Sequence, residues 1–268
     1  MNDPEPAEPS EQPEGKGRST ALVVLTGVGA GFFSGLFGVG GGLVIVPALM
    51  AVLGMDQRRA SATSLLAIVL TATTGAASYA ARGEVSLVAT LVLVVGALVG
   101  AQVGVLLLRR LPDRILPWIF VAFVLFVVVS QRLHVPVREA ALVLDVPRTI
   151  GVVLVGFVSG LLSGLVGTGG GSVVVPGLEI VVGVGDLLAR GTSLAVMVPT
   201  ALSGSWTNAK HGLVDLRVGL IVGVAAAVVA PLGTFAAAAI SPETGSILFS
   251  IYLLVVVANT LRKARGKR

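Results

Sequence analysis

The sequence contains no cysteine, which excludes disulfide bonds, thiolate nucleophiles and cysteine-based metal sites. Charge is also scarce: Asp, Glu, Lys and Arg make up 12% of the 268 residues, whereas a soluble domain carries about 25%. Histidine occurs only twice, at His134 and His211. A soluble globular domain is therefore excluded, and we predict no metal site, no cofactor and no binding of nucleic acid.

The chain instead contains long segments without any charged residue. Residues 21–55, 87–108 and 220–241 contain no charge, and each is longer than the roughly 18 apolar residues that mark a membrane-spanning helix. Mean hydropathy is +0.96. Because lipid offers no partner for free backbone groups, these segments must be helical. The sequence predicts an all-α, polytopic transmembrane protein in contact with membrane lipid, and it leaves open whether the chain forms a homo-oligomer.

The chain divides into two similar halves with polar ends. Five acidic residues and four prolines within residues 1–15 indicate a disordered tail. We predict an acidic tail (1–18), a first repeat (19–131), a connecting segment (132–148), a second repeat (149–261) and a basic cytoplasmic tail (262–268). Each repeat has four apolar segments. They lie at 20–54, 60–81, 86–108, 115–131, 149–184, 189–209, 214–240 and 246–261.

A glycine-rich motif occurs once in each half, and Gly31 of the first copy matches Gly160 of the second. Without gaps, 12 of the 19 positions in residues 31–49 are identical in residues 160–178. Each copy contains three consecutive glycines, which no helical stripe explains and which are costly inside a helix. The matches continue in the same register through Thr63-Ser64 and Thr192-Ser193. The repeat predicts two pseudo-symmetric halves, each with a glycine-broken first helix.

The broken segments allow two topologies. If segments one and five cross the membrane, the cytoplasmic side carries 13 basic residues and the outside 6. If they are re-entrant hairpins, the halves are inverted, and the counts are 14 and 5, with Arg190 among the outer residues. Because cytoplasmic loops carry excess Lys and Arg, the inverted arrangement is slightly favoured. Both topologies place the two termini in the cytoplasm.

The breaks predict an anion site. A helix that starts at membrane depth leaves its first amides unpaired, and these amides together with the helix dipole attract anions. Nearby hydroxyls can add hydrogen bonds, although a purely structural kink with hydroxyls bonded to their own helix is the alternative. The predicted substrate-binding residues are Ser34, Gly38, Gly40, Gly41, Gly42, Thr63, Ser64, Ser163, Gly167, Thr168, Gly169, Gly170, Gly171, Thr192 and Ser193.

The pattern Gly-x-x-Ser-Gly-Leu-x-Gly-x-Gly-Gly-Gly-x-x-x-Val-Pro, followed by Ala-x-Ala/Gly-Thr-Ser, resembles the sulfite exporter TauE/SafE family. The halves differ at Val39 against Thr168 and at Ala62 against Gly191. The resemblance implies a multi-pass permease of the bacterial or archaeal inner membrane. It also implies that the substrate is a small inorganic or organosulfur anion, such as sulfite or a sulfonate.

Glu179 is the acidic residue inside the second broken segment, where the first half has Met50. An intramembrane carboxylate is a functional candidate, so Glu179 is the predicted proton-coupling residue. A passive anion channel would use the same site. An intramembrane serine hydrolase is disfavoured, because a serine needs a base within hydrogen-bond reach and both histidines fall at predicted interfaces. We therefore predict a transporter rather than an enzyme.

Overall fold

A computed structural model describes residues 16–112 and 145–265, with positions 115, 118, 119, 121, 122, 125, 128 and 129 between them. The predicted acidic tail and most of the fourth apolar segment and the connecting segment lie outside these residues. The regular structure described is entirely α-helical, which confirms the fold class. The helices are α1 (Lys16–Phe37), α2 (Gly42–Val52), α3 (Gln57–Ala80), α4 (Leu87–Arg110), α5 (Val146–Val166), α6 (Gly171–Val181), α7 (Asp186–Lys210), α8 (Leu216–Ala239) and α9 (Pro242–Arg265).

Five of the described helices are long and apolar enough to cross a membrane: α1, α3, α4, α5 and α8. A 24-residue helix is about 36 Å long, which exceeds the hydrocarbon thickness of about 30 Å. Large apolar side chains are exposed on the outer surface, among them Leu91 at 68% and Val228 at 72%. An apolar exterior of this kind is what a multi-pass membrane protein presents to lipid.

Polar residues start several helices. The side chains of Asp56 and Asp145 accept hydrogen bonds from backbone amides in the first turns of α3 and α5. Ser86 and Asp215, which occupy matching positions of the two repeats, cap α4 and α8 in the same way. Side-chain capping satisfies amides that the helix itself leaves unpaired. The helices α4 and α8 therefore begin at corresponding residues of the two halves.

The first apolar segment of each half is interrupted at its glycines. Helix α1 ends at Phe37 and α2 begins at Gly42, while α5 ends at Val166 and α6 begins at Gly171. Gly40 and Gly41 have φ values of 75° and 77°, and Gly169 and Gly170 have 83° and 79°. Side-chain-bearing residues avoid this left-handed conformation. The glycines thus permit a sharp turn between a long helix and a short one in each half.

Glycines also bring helices from opposite halves into close contact. A Cβ atom at Gly160 of α5 would overlap the carbonyl oxygen of Ala97 in α4, and one at Gly31 of α1 would overlap that of Ala226 in α8. Small residues at every fourth position allow such backbone approach between membrane helices. The contacts follow a regular order. In α1, Gly27, Gly31 and Gly35 face Val222, Ala226 and Ala230 of α8; in α5, Gly156, Gly160 and Gly164 face Leu93, Ala97 and Ala101 of α4.

These contacts fix the relative directions of the helices. Residue numbers rise together along α1 and α8 and along α5 and α4, so each pair runs parallel. Helix α3 also runs parallel to α8, because Thr63 bonds to Asp215 and Leu66 contacts Gly219. Consequently α1 and α3 point in the same direction.

The two halves meet along α3 and α7, and these helices are antiparallel. A Cβ at Gly75 of α3 would meet Leu194, and one at Gly204 of α7 would meet Leu65. Helix α7 runs parallel to α4, since Gln102 bonds to Ser203 near the end of both helices. One end of the bundle, here called the Asn208 end, therefore holds the starts of α1, α3 and α8 and the ends of α4 and α7. The opposite end is called the Tyr79 end.

Candidate functional site: two helix breaks in contact

The two glycine breaks touch each other inside the bundle. A Cβ atom at Gly42 would overlap the carbonyl oxygen of Gly167, and one at Gly171 would overlap the carbonyl oxygen of Gly38. All four glycines are buried. We predicted from the sequence that these four glycines belong to one site, and the fold brings them together from separate halves.

Two serines connect the breaks to the opposite half. The hydroxyl of Ser64 on α3 donates to the carbonyl oxygen of Gly167 at 2.6 Å, and that of Ser193 on α7 donates to Gly38 at 2.8 Å. Each bond ties a turn in one half to the long helix of the other half. The hydroxyls of Ser64 and Ser193 are therefore engaged within the protein in this conformation.

The neighbouring threonines have a similar structural role. Thr63 Oγ1 accepts a hydrogen bond from the Asp215 amide, and Thr192 Oγ1 accepts one from the Ser86 amide, each at 3.0 Å. Ser86 and Asp215 are the capping residues of α4 and α8. Thr63 and Thr192 thus join the two long central helices to the starts of the helices beside them.

Four hydroxyls close to the breaks have no hydrogen-bond partner within the part of the chain that the structure describes. Leaving a buried hydroxyl unpaired costs about 1–3 kcal/mol. Such groups mark positions where water or a ligand is expected to bind. They are Ser34, Ser163, Thr168 and Ser172, and their exposure does not exceed 1%. Ser172, in the first turn of α6, was absent from the predicted site residues.

The starts of the short helices add unpaired backbone donors. The first turns of α2 and α6 close onto the carbonyl oxygens of Gly41 and Gly170. Among the described residues, no acceptor is recorded for the amides of Gly42 and Leu43 in α2. The amides of Gly171 and Ser172 in α6 likewise have no hydrogen-bond acceptor among these residues. Two helix N-termini with free amides and nearby hydroxyls form a favourable environment for an anion.

Two apolar side chains cover the breaks. Ile68 of α3 and Met197 of α7 occupy matching positions of the two repeats and are almost completely buried. A Cβ at Gly169 would lie 3.1 Å from Met197 Sδ and 3.2 Å from Ile68 Cδ1, and one at Gly40 would meet the same two side chains. These two side chains therefore fill the space beside both breaks in the described conformation.

Glu179, the predicted proton-coupling residue, lies near the C-terminal end of α6 and is half-buried. The charges of Arg190 and Asp186 act on it. Because α6 leads to the start of α7 at the Tyr79 end, Glu179 lies near the Tyr79 end of the bundle rather than beside the glycines.

Sequence reasoning missed a buried ion pair. Arg190 Nη2 lies 3.2 Å from Asp186 Oδ2, and both side chains are at most 6% exposed. The Nη1 atom of Arg190 also donates to the carbonyl oxygen of Leu36 in the last turn of α1, at 2.9 Å. The topological count had placed Arg190 among the outer residues, at the start of the predicted segment 189–209. It is buried because α7 begins at Asp186, earlier than predicted, and places Arg190 against α1.

The described serines and histidine do not form a catalytic pair. Ser159 is buried and donates to the carbonyl oxygen of Gly170 at 2.9 Å. His211 is exposed at the end of α7, where its Nδ1 contacts the carbonyl oxygen of Thr207. His134 lies outside the described residues.

An apolar exterior, long membrane-length helices and two helix breaks in mutual contact define a multi-pass membrane transport protein. A family model described as "Sulfite exporter TauE/SafE" matches residues 4–130 and 152–268. The chain belongs to the sulfite exporter TauE/SafE family of membrane transporters, which confirms the family resemblance.

Curated relatives carry the same general description. A protein of Haemophilus influenzae named "Probable membrane transporter protein" is 28% identical over 261 residues, covering 90% of this chain and 98% of the relative. A Xylella fastidiosa protein of the same name is 29% identical over 247 residues, covering 89% and 93%. YunE of Bacillus subtilis, also named a probable membrane transporter protein, is 26% identical over 221 residues, covering 74% and 81%. These names specify transport but no substrate.

Proposed function

We propose that this protein transports a small sulfur oxyanion, such as sulfite or a sulfonate, and binds it between the two glycine breaks. The observation that carries the proposal is the cluster of unpartnered hydroxyls and helix-start amides at the point where the breaks meet. Hydrogen-bond donors and helix dipoles attract an anion without requiring a cationic side chain. An oxyanion offers several acceptor oxygens to these donors.

The directions of the helices support an inverted repeat. Because α1 and α3 run parallel, the α1–α2 segment enters and leaves at one end of the bundle. The corresponding α5–α6 segment starts at the opposite end, since α5 and α7 both run parallel to α4. Two re-entrant hairpins of opposite direction are a recurrent plan of transporters whose substrate site lies at the membrane midplane.

Charge at the helix ends supports the orientation. The Asn208 end carries more basic than acidic residues, whereas the Tyr79 end is mixed. Cytoplasmic ends of membrane helices carry excess Lys and Arg, so we assign the Asn208 end and both termini to the cytoplasm of an inner-membrane protein. The Asn208 end has Lys16, Arg18, Arg58, Arg59, Arg109, Arg110, Lys210 and Arg217 with Asp56 and Asp215; the Tyr79 end has Arg82, Arg148 and Arg190 with Glu84, Asp145, Glu179, Asp186 and Glu243.

The apolar cover favours a transporter over the passive channel. Ile68 and Met197 close the breaks in the described conformation, so passage requires a rearrangement. In a transporter, such a rearrangement alternately exposes one central site to the two faces.

Substituting the glycines would not test the anion site, because a side chain at Gly42 or Gly171 would collide with the opposite break whatever its function. Thr168→Val and Ser172→Ala are better probes, since they remove unpartnered hydroxyls and preserve or reduce volume. Valine already occupies the position equivalent to Thr168 in the first half, at Val39.

The experiment measures uptake of radiolabelled sulfite, sulfate and taurine into proteoliposomes. Each hydroxyl removed should cost about 0.5–1.5 kcal/mol of binding, or about 2- to 13-fold in affinity. Thr73→Val is the control, because the exposed hydroxyl of Thr73 bonds to the carbonyl oxygen of Val69 in its own helix. Unchanged transport affinity in the Thr168/Ser172 double variant would exclude the proposed site, and absence of flux for every sulfur anion tested would exclude the substrate class.

A further inference from the structure

The α3–α7 pair carries very different residues at its two equivalent ends. In the register that matches Gly31 to Gly160, Tyr79 corresponds to Asn208 and Ser61 corresponds to Arg190. Because α3 and α7 are antiparallel, Tyr79 and Arg190 lie together at one end, whereas Ser61 and Asn208 lie level with each other at the other end. A large aromatic residue and a charged residue are thus replaced by two small neutral ones.

The Tyr79 end is closed by bonded side chains. The Tyr79 hydroxyl donates to the carbonyl oxygen of Gly35 at 2.8 Å. Arg190 donates to the next carbonyl oxygen, that of Leu36, and pairs with Asp186. These bonds hold the last turn of α1, directly before its break, against both central helices.

Within the described residues, the Asn208 end shows no side-chain bonds equivalent to those of Tyr79 and Arg190. Ser61 Oγ donates to the carbonyl oxygen of Val166, the last residue of α5, at 2.8 Å. Asn208 is fully buried, yet over the described ranges neither its Oδ1 nor its Nδ2 atom has a hydrogen-bond partner. A buried amide group can make up to four hydrogen bonds, and leaving all of them unmade is costly unless water or a ligand supplies them. The unpartnered amide therefore indicates that water or a polar ligand binds at this end.

The unpartnered groups continue toward the breaks. The residue equivalent to Gly35 is Gly164, so by the repeat register we infer that Asn208 faces the last turn of α5, the turn that contains Ser163. Ser163 and Thr168 are also buried and without partners among the described residues. The mouth of this end is surrounded by basic helix termini, which attract anions to it.

We propose that the passage between the central breaks and the aqueous phase runs past Asn208 along the end of α5, and that Asn208 contacts the passing anion through its amide group. The proposal rests on the proposed function and adds the route of access. The Tyr79 end, in which the same positions are filled and bonded, is the closed side of the described conformation.

The natural sequence suits a direct test because it contains no cysteine. Asn208→Cys introduces a single thiol on the proposed passage, and Tyr79→Cys introduces one at the equivalent closed position. Each purified variant is reconstituted and treated with a membrane-impermeant sulfonate-bearing methanethiosulfonate, applied separately to each face. The label is quantified by mass spectrometry.

We expect Asn208→Cys to react about tenfold faster than Tyr79→Cys, because position 208 is buried in the described conformation but becomes hydrated when the proposed passage opens, and a hydrated thiol forms the reactive thiolate more readily. The reaction should require reagent on the face that carries Lys210, and sulfate should slow it if it enters the same passage. Equal rates for the two thiols, or a faster reaction of Tyr79→Cys, would overturn the proposal.

A second variant guards against misfolding of the cysteine proteins. Asn208→Leu replaces the amide by an apolar group of similar volume, and it should reduce anion flux at least about tenfold while the thermal unfolding temperature stays near that of the parent. Parental flux in this variant would contradict the passage. Labelling at position 208 without flux of any sulfur anion would instead leave the passage intact and reject the proposed function.

Discussion

The contact between α1 and α8 predicts a strong difference between two glycines, Gly29 and Gly31, that lie close together in α1. A Cβ at Gly31 would overlap the carbonyl oxygen of Ala226 and lie 2.7 Å from both its carbonyl carbon and its Cα. A Cβ at Gly29 would meet nothing within 4 Å. Gly31→Ala must therefore separate the two helices, whereas Gly29→Ala can be accommodated in place.

The magnitude follows from the geometry. Replacing glycine by alanine within a helix gains about 1 kcal/mol of helix propensity, and this gain is common to both variants. Their difference therefore isolates the packing term. Overfilling a packed contact costs about 1–3 kcal/mol, and the upper part of this range applies because the obstacle is rigid backbone. A gap of about 0.5–1 Å between the helices would also forfeit a quarter to a half of each pairwise dispersion contact.

Thermal unfolding of the purified variants in one detergent provides the assay. At about 2–4 °C per kcal/mol for a chain of roughly this size, a packing cost of about 2–3 kcal/mol should make Gly31→Ala unfold about 4–12 °C below Gly29→Ala. Equal or higher stability of Gly31→Ala would refute the inferred backbone contact between α1 and α8, and with it the parallel arrangement on which the topology depends.

Two further predictions concern the charged residues of the second half. Asp186→Asn should lower stability by about 3–5 kcal/mol, because it leaves Arg190 buried without its charge partner. The Asp186→Asn/Arg190→Leu double variant should recover part of the loss in the same unfolding assay, and a single variant as stable as the parent would contradict the ion pair. Glu179→Gln should retain anion binding but remove the response of flux to an imposed pH gradient, because glutamine cannot carry the coupled proton; a parental response in proteoliposomes would assign the coupling to another group.

The sequence by itself determined the class of protein. Membrane-length uncharged segments require helices, because no other local structure satisfies backbone groups in lipid. The triple glycines indicated where the first helix of each half would be interrupted, since consecutive glycines cannot support a helix cheaply. The constant register between the two copies also indicated which residues of the two halves correspond. These conclusions follow from local chemistry and from comparison of the chain with itself.

The roles of individual hydroxyls could not be read from the sequence. Thr63, Ser64, Thr192 and Ser193 were predicted to bind substrate, which stays a prediction; in the described conformation they bond to backbone groups of the break turns and of the residues that cap α4 and α8. Ser172 was omitted, although it lies unpartnered at the start of α6 among the described residues. Whether a hydroxyl is free depends on which backbone groups approach it, and this is a property of packing rather than of residue type.

Only the tertiary structure decided how the halves are combined. The first helix of each half packs on a helix of the other half, α1 on α8 and α5 on α4, so Gly31 contacts Ala226 and Gly160 contacts Ala97. The same exchange buries Arg190 against the end of α1, although the count of basic residues had treated it as an outer-face charge. Glycine spacing marks a helix face that can be approached closely, but any helix with a small-residue face can occupy it. The choice of partner is made by the packing of the whole bundle, because each face must be filled without overlap and each buried backbone group must find a donor or an acceptor.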